Sequence, residues 1–165
     1  MKVSEYAMVI KGDCGAVLAD ARIQMPDGMQ KRIGRITEKD YVLSAHDTKS
    51  RVESVCKCQG AKIYAIEASN GQCLKLTAEQ CVLTKQGWKR ARTLMPGNEI
   101  MGYDYQSGRA YFELVSVEPV LMKDIGAYTI ALKEKTFIAN GFICSDYDMQ
   151  YGKRKIRRRN ENVCK

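Results

Sequence analysis

The sequence has no apolar run near the roughly 18 residues that a membrane-spanning helix needs, which excludes a helical span. Its opening, MKVSEYAMVIKGD, sets Glu5 and Asp13 around a short apolar patch. That lacks the basic, then apolar, then small-residue order of a secretory signal, so a cytoplasmic location without a membrane partner is expected. Helical periodicity is scarce. GWKRARTLMPG has Ala91 and Leu94 three apart before Pro96-Gly97 interrupts it, and QKRIGRITEKD has Ile33 and Ile36 three apart around Gly34. Both read as brief turns. Histidine is nearly absent: His46, just after the strand-like YVLS, is the only one, and a lone histidine at a strand end reads as a solvated surface residue.

What is present is a balanced globular composition. With 165 residues, 45% hydrophobic and 28% charged, the chain suits one compact domain and is too short for two of ordinary size. Its 7 cysteines are an odd number without an export signal, which argues for reduced thiols. Cys56 and Cys58 form C-x-C with Cys73 and Cys81 not far beyond. The usual C-x-x-C spacing of a thiolate metal site is missing, so no metal and no cofactor is expected. The formal charge of +8 is concentrated in YGKRKIRRRNENVCK, which carries a net +6 and leaves +2 for residues 1–150. Lys153, Arg154, Lys155, Arg157, Arg158 and Arg159 form a run that reads first as a solvated tail. Weak, non-specific nucleic-acid binding comes second, because no aromatic residue within the run can stack on bases.

Short alternating segments fill the rest. In KIYAIEA, Ile63, Ala65 and Glu67 face one way and Tyr64, Ile66 and Ala68 the other. SNGQ follows, with Asn70-Gly71 suited to a two-residue hairpin turn, and CLKLT returns with Leu74 and Leu76 on one side. YVLSA, RVESV, EIMGYD, AYFELVSVEPV, AYTIAL and FIANGFICSD add further strands, about eight to ten in all. The expected class is all-β, of many short, curved, mostly antiparallel strands with one or two short helical turns.

Three phrases in order then resemble the Hint fold of inteins, hedgehog autoprocessing domains and bacterial intein-like domains. RIQMPDGMQKRIGRITEKDYVLS is similar to the family's opening, IYAIEASNGQCLKLTAEQCVLTKQGWKRARTLMPGNEI to its central hairpin and threonine-bearing corner, and AYTIALKEKTFIANGFICSD to its closing strands. The resemblance spans residues 14–146, with a flank at 1–13 and a basic tail at 147–165.

It implies a chemistry. A Cys or Ser at the domain's start attacks the preceding carbonyl, converting an amide to a thioester or ester. A Thr and a His in the central corner polarise that amide and protonate the leaving nitrogen. A closing His-Asn pair then cuts the far end by Asn cyclisation. Carried across, the threonine is Thr77, but the histidine position holds Gln80, whose amide cannot shuttle a proton near neutral pH. The closing pair is Ser145 and Asp146, and Asp146 has no amide nitrogen for cyclisation. Thr129 stands where the family often has Asp. Counting from Asp27-Gly28 puts the nucleophile at Ala16 or Val17, neither of which can attack; Cys14 serves only with a longer loop.

The resemblance therefore implies a degenerate domain that keeps the fold without protein splicing. It would act as a monomeric binding or structural module on a protein partner or its own flanking segments. The alternative is residual autoprocessing in which Cys14, helped by Thr77 and His46, attacks the carbonyl of Asp13. A third reading makes the basic tail the functional part.

Overall fold

The computed structural model describes residues 8–11, 14–59, 61–121 and 126–146. The tail positions Lys153 to Arg159 lie outside the described residues. Fifteen strands account for most of the rest, more than the eight to ten expected. They are β1 (Met8–Lys11), β2 (Val17–Leu18), β3 (Arg22–Gln24), β4 (Gln30–Arg32), β5 (Tyr41–Leu43), β6 (Lys49–Gln59), β7 (Ile63–Ala68) and β8 (Cys73–Thr77), followed by β9 (Cys81–Thr84), β10 (Gly87–Arg90), β11 (Glu99–Asp104), β12 (Gly108–Val120), β13 (Ala127–Leu132), β14 (Thr136–Ala139) and β15 (Phe142–Ser145). The helical signals reduce to single 3-10 turns at Ile33–Arg35 and Ala91–Thr93, each seating one buried apolar residue, Ile33 or Ala91.

The strands run in the order β1-β6-β13-β2-β8-β7-β12-β11-β9-β15-β14-β3-β4, with β10 on β9 and β5 on β6. Every pairing among the described residues is antiparallel except β1 with β6. A continuous sheet this long has to curl, and β12 shows how. Its first half pairs with β11. A register break between Leu114 and Ser116 then lets its second half pair with β7, leaving Val115 half-exposed at the bend.

β7 and β8 alternate as their sequences require, with Ile66, Leu74 and Leu76 inward. Every residue of β13, β14 and β15 is buried, because both faces of these strands are covered. Phe137 and Phe142 are the largest fully buried side chains of the main core. Trp88 packs on a smaller cluster of Leu43, Tyr103, Ile138 and Ile143 at the core edge.

Two turns differ instructively. Asn140 (φ 50) and Gly141 (φ 84) are both left-handed, which is the two-residue primed turn that Asn-Gly favours, and Ala139 pairs with Phe142 across it. The other Asn-Gly pair does not form that turn. The Ala68 amide donates to the Gln72 carbonyl at 2.9 Å, so Ser69, Asn70 and Gly71 make a three-residue loop with only Gly71 left-handed. The extra residue re-aims Gln72. Its side chain passes between Gly102 and Gly141, where a Cβ on Gly141 would lie 1.9 Å from Nε2, and that nitrogen donates to the Tyr103 carbonyl at 3.1 Å.

The expectation of reduced thiols throughout is corrected: Cys14 and Cys58 form a disulfide. Counting cysteines could not anticipate it, because a bridge depends on which strands meet. Cys56 and Cys144 are buried, Cys81 is half-buried and Cys73 is exposed. Among the described residues no group of three or more His, Cys, Asp or Glu is arranged to hold a metal ion.

Candidate functional site

The threonine-bearing corner sits where β8 ends and the chain turns into β9. The Gln80 amide donates to the Thr77 carbonyl at 3.1 Å and closes the turn. The Ala78 amide donates to Lys62, and the Ala91 amide to the Gln80 carbonyl, both at 2.9 Å. The corner is held from both sides, and its two side chains have little freedom.

Thr77 grips the segment entering β2. Its amide donates to the Ala16 carbonyl at 2.8 Å, and its Oγ1 accepts from the Ala16 amide at 2.8 Å. The same hydroxyl donates to the Cys14 carbonyl at 2.5 Å. Thr77, Cys14 and Ala16 are each 0% exposed, so these bonds are shielded from water. The carbonyl that the hydroxyl polarises belongs to Cys14, and the residue after it is Gly15. A nucleophile placed to attack that carbon would extend from residue 15, which has no side chain.

Gln80 faces the closing strand. Its Nε2 donates to the Cys81 carbonyl at 2.8 Å and to the Ser145 carbonyl at 2.9 Å, with Ser145 Oγ at 3.4 Å. These acceptors fix the amide's orientation, and Oε1 is left buried without a partner. Asp146 follows at once: its Oδ2 accepts from the Leu132 amide at 2.6 Å, and its amide donates to the Lys135 carbonyl at 2.8 Å. Thr129, on β13, is 0% exposed with an unpartnered Oγ1.

The fold thus brings Thr77, Gln80, Ser145 and Asp146 into one sequence of contacts, with Cys14 joined to it through its carbonyl. Cys14 Sγ points elsewhere, into its bridge with Cys58 on β6. His46 is not brought in. It is exposed on the β5–β6 hairpin, where its amide donates to Ser44 Oγ at 3.1 Å. That hairpin is tied to β14 by Ala45 donating to Thr136 Oγ1 at 2.9 Å, and to β12 by Arg109, which donates to Asp47 and to the Ala45 carbonyl. Gly15 was not singled out from sequence, and Cys58 was weighed there only as part of a C-x-C pair, not as the partner of Cys14. Gly15 acquires meaning only once Thr77 identifies the gripped carbonyl.

Thr77, Gln80 and Asp146 are 0% exposed and Ser145 only 2%, and two clefts of about 420 and 390 Å3 are lined by none of them. Chemically, two hydroxyls and a carboxamide can donate and accept hydrogen bonds, but none exchanges a proton readily near neutral pH. The thiols nearby are muted. Burial, ahead of the opposing influences of Arg90 and a Ser145 hydrogen bond, raises the pKa of Cys81. Burial raises that of Cys144 far more. Since the thiolate is the reactive form, iodoacetamide at neutral pH is expected to label the exposed Cys73 first, Cys81 more slowly and Cys144 only on unfolding. Peptide mapping over a labelling time course checks the order, and Cys81 reacting ahead of Cys73 contradicts it.

A curled sheet of this strand order, with a Thr corner after a central hairpin and an Asn-Gly closing hairpin beside it, defines the Hint fold of inteins, and this chain has it. Over 81% of its length it matches the DnaB intein from Synechocystis sp. PCC 6803, with a TM-score of 0.70, 20% identity and 99% of that chain covered. The Ssp DnaB mini-intein variant M86 matches over the same share, with a TM-score of 0.71, 20% identity and 95% of that chain covered. The gp41-1 intein gives a TM-score of 0.68 at 20% identity, with 100% of that chain covered. No family model matches the chain, and no curated protein does. At this identity the likeness carries the fold, and activity has to be argued from the residues.

Proposed function

We propose that this chain is a Hint-fold domain that has lost protein splicing and works as a binding or structural module, on a protein partner or on its own flanking segments. The observation that carries the reading is the corner itself. Thr77 grips the Cys14 carbonyl as a splicing corner would grip its scissile amide, yet Gly15 supplies no nucleophile and Gln80 no proton. The far end is silent for a related reason: Asp146 offers a carboxylate, hydrogen-bonded to Leu132, in place of a cyclising amide. The small core and polar substitutions leave the packing intact, so the scaffold outlives the reaction.

The competing reading, cleavage at Asp13 by Cys14, requires a free sulfur, whereas Cys14 is bridged to Cys58. The help that His46 could have lent is out of place, because His46 is exposed on another hairpin. A role for the basic tail in holding nucleic acid rests on charge alone, and deleting residues 152–165 with a salt titration tests it.

Two mass measurements decide the main reading. The native chain, incubated with a thiol or with hydroxylamine, is expected to keep its intact mass indefinitely, whether Cys14 is present or replaced by Ala. The pair Gly15→Cys with Gln80→His restores a nucleophile and a proton carrier at the gripped amide, and is expected to show thiol-dependent cleavage after Cys14. Cleavage of the unaltered chain sinks the proposal.

A further inference from the structure

We infer that the Cys14–Cys58 disulfide is a redox latch on the strand preceding it: oxidised, it holds β1 in the sheet, and reduced, it lets β1 leave β6 and uncovers four residues of sheet edge. This goes beyond the loss of splicing and does not depend on it.

Among the described residues β1 has one strand partner, β6, in a parallel pairing of four residues from Met8 opposite Cys56 to Lys11 opposite Gln59. A four-residue parallel strand at a sheet edge is a weak attachment. The bridge reinforces it at a particular place. Cys58 stands opposite Ile10 in the register and is also the residue joined to Cys14, so both ends of the Ile10–Cys14 stretch are secured at one point of β6. A tether of that length keeps β1 at high effective concentration beside its partner. Thr77 holds the Cys14 carbonyl at the end of β8 whatever the state of the bridge, and Cys58 Sγ lies 3.5 Å from that same carbonyl, so what reduction removes is the covalent link between Cys14 and β6. On its other side β6 is paired with β13, with Thr129 opposite Cys56 and Ala127 opposite Cys58, so β6 stays in place when β1 departs. The sulfurs lie in a satellite cluster with Ala16, Leu18, Cys56, Ile63 and Ala127, apart from the main core, so a change there is local.

The chemistry is ordinary exchange with a dithiol. Its thiolate attacks one sulfur of the pair, the S–S bond breaks and one cysteine leaves as thiolate; the second reductant thiol then attacks the reductant's sulfur in the mixed disulfide and expels the other cysteine thiolate. Two electrons and two protons end on Cys14 and Cys58, and the reductant becomes a cyclic disulfide. Cys14 is 0% and Cys58 2% exposed, so the attack waits for a transient opening of this corner.

Hydrogen exchange read by mass spectrometry on the full chain tests the latch, with dithiothreitol as the reductant. Reduction is expected to speed exchange of residues 8–11 by about tenfold through an opening that low urea does not affect, while β14 and β15 exchange only by the global unfolding that urea promotes. The double variant Cys14→Ser/Cys58→Ser is expected to exchange at the fast rate with or without reductant. Cys56→Ser retains the bridge and should respond as wild type does. Equal exchange of residues 8–11 in both redox states of the wild type overturns the proposal. So does exchange of residues 8–11 in the reduced chain that rises with urea in step with β14 and β15, which would make the bridge a staple of the whole domain with no separate hold on β1. The wild-type comparison decides the matter even where a variant fails to fold.

Discussion

Replacing Thr77 with Val is expected to lower the free energy of unfolding by about 2–6 kcal/mol. Valine keeps the shape and the β-branch but removes the hydroxyl that bridges the Cys14 carbonyl and the Ala16 amide. Both backbone groups are then buried without a partner, and each carries a desolvation cost of about 1–3 kcal/mol. Thr77→Ser keeps the bridge and loses one methyl, so it should cost about 1 kcal/mol. Chemical denaturation of the three proteins measures the series. If Val is tolerated as well as Ser, the grip on Cys14 contributes nothing, and the claim that a former reactive corner survives as a structural clasp fails with it.

The second large effect is on the same segment from the opposite side. Removing the Cys14–Cys58 bridge by the double serine substitution is expected to cost about 4 kcal/mol, chiefly by freeing the unfolded chain between cysteines 44 residues apart. A domain of this size has a net stability of about 5–15 kcal/mol, so it should remain folded with a markedly lower melting temperature. The oxidised wild type and the double variant compared in one urea series give the number directly. Equal midpoints would show that the bridge adds no stability.

Where local pattern and tertiary context agree, the fold was legible in the residues. AYTIAL and FIANGFICS are buried strands as their continuous apolar character demands, and Asn140-Gly141 makes the tight turn that its pair of residues favours. Gly34 and Pro96 cut short two incipient helices, as their propensities require. The strands that the sequence did not show are very short: MVIK and VL form β1 and β2, and the polar QKR forms β4 on RIQ, the strand implied before the Asp27-Gly28 turn, whose Ile23 in turn pairs with Ala139 of the closing hairpin. Identical dipeptides behaved differently. Asn70-Gly71 lies in a three-residue loop, and the Gln72 side chain that follows it runs between Gly102 and Gly141.

In the site, Thr77, Gln80, Ser145 and Asp146 were placed by the resemblance to the Hint family's motifs, and they meet. The gripped carbonyl was not. It is set by the register of β2 against β8, where a slip of one residue changes which amide faces the hydroxyl. Cys58 was invisible as a partner for Cys14 because the two are brought together by the path of β6.

The strand order also bears on synthesis. β2 lies between β8 and β13, and β3 between β14 and β4, so two of the earliest strands have neighbours more than a hundred residues downstream. As the nascent chain emerges, each of those two strands has a partner on one side only, β8 for β2 and β4 for β3, until residues 127–146 have left the ribosome. Closure of the domain therefore waits on its last strands and is slow, as in sheets stitched from distant segments.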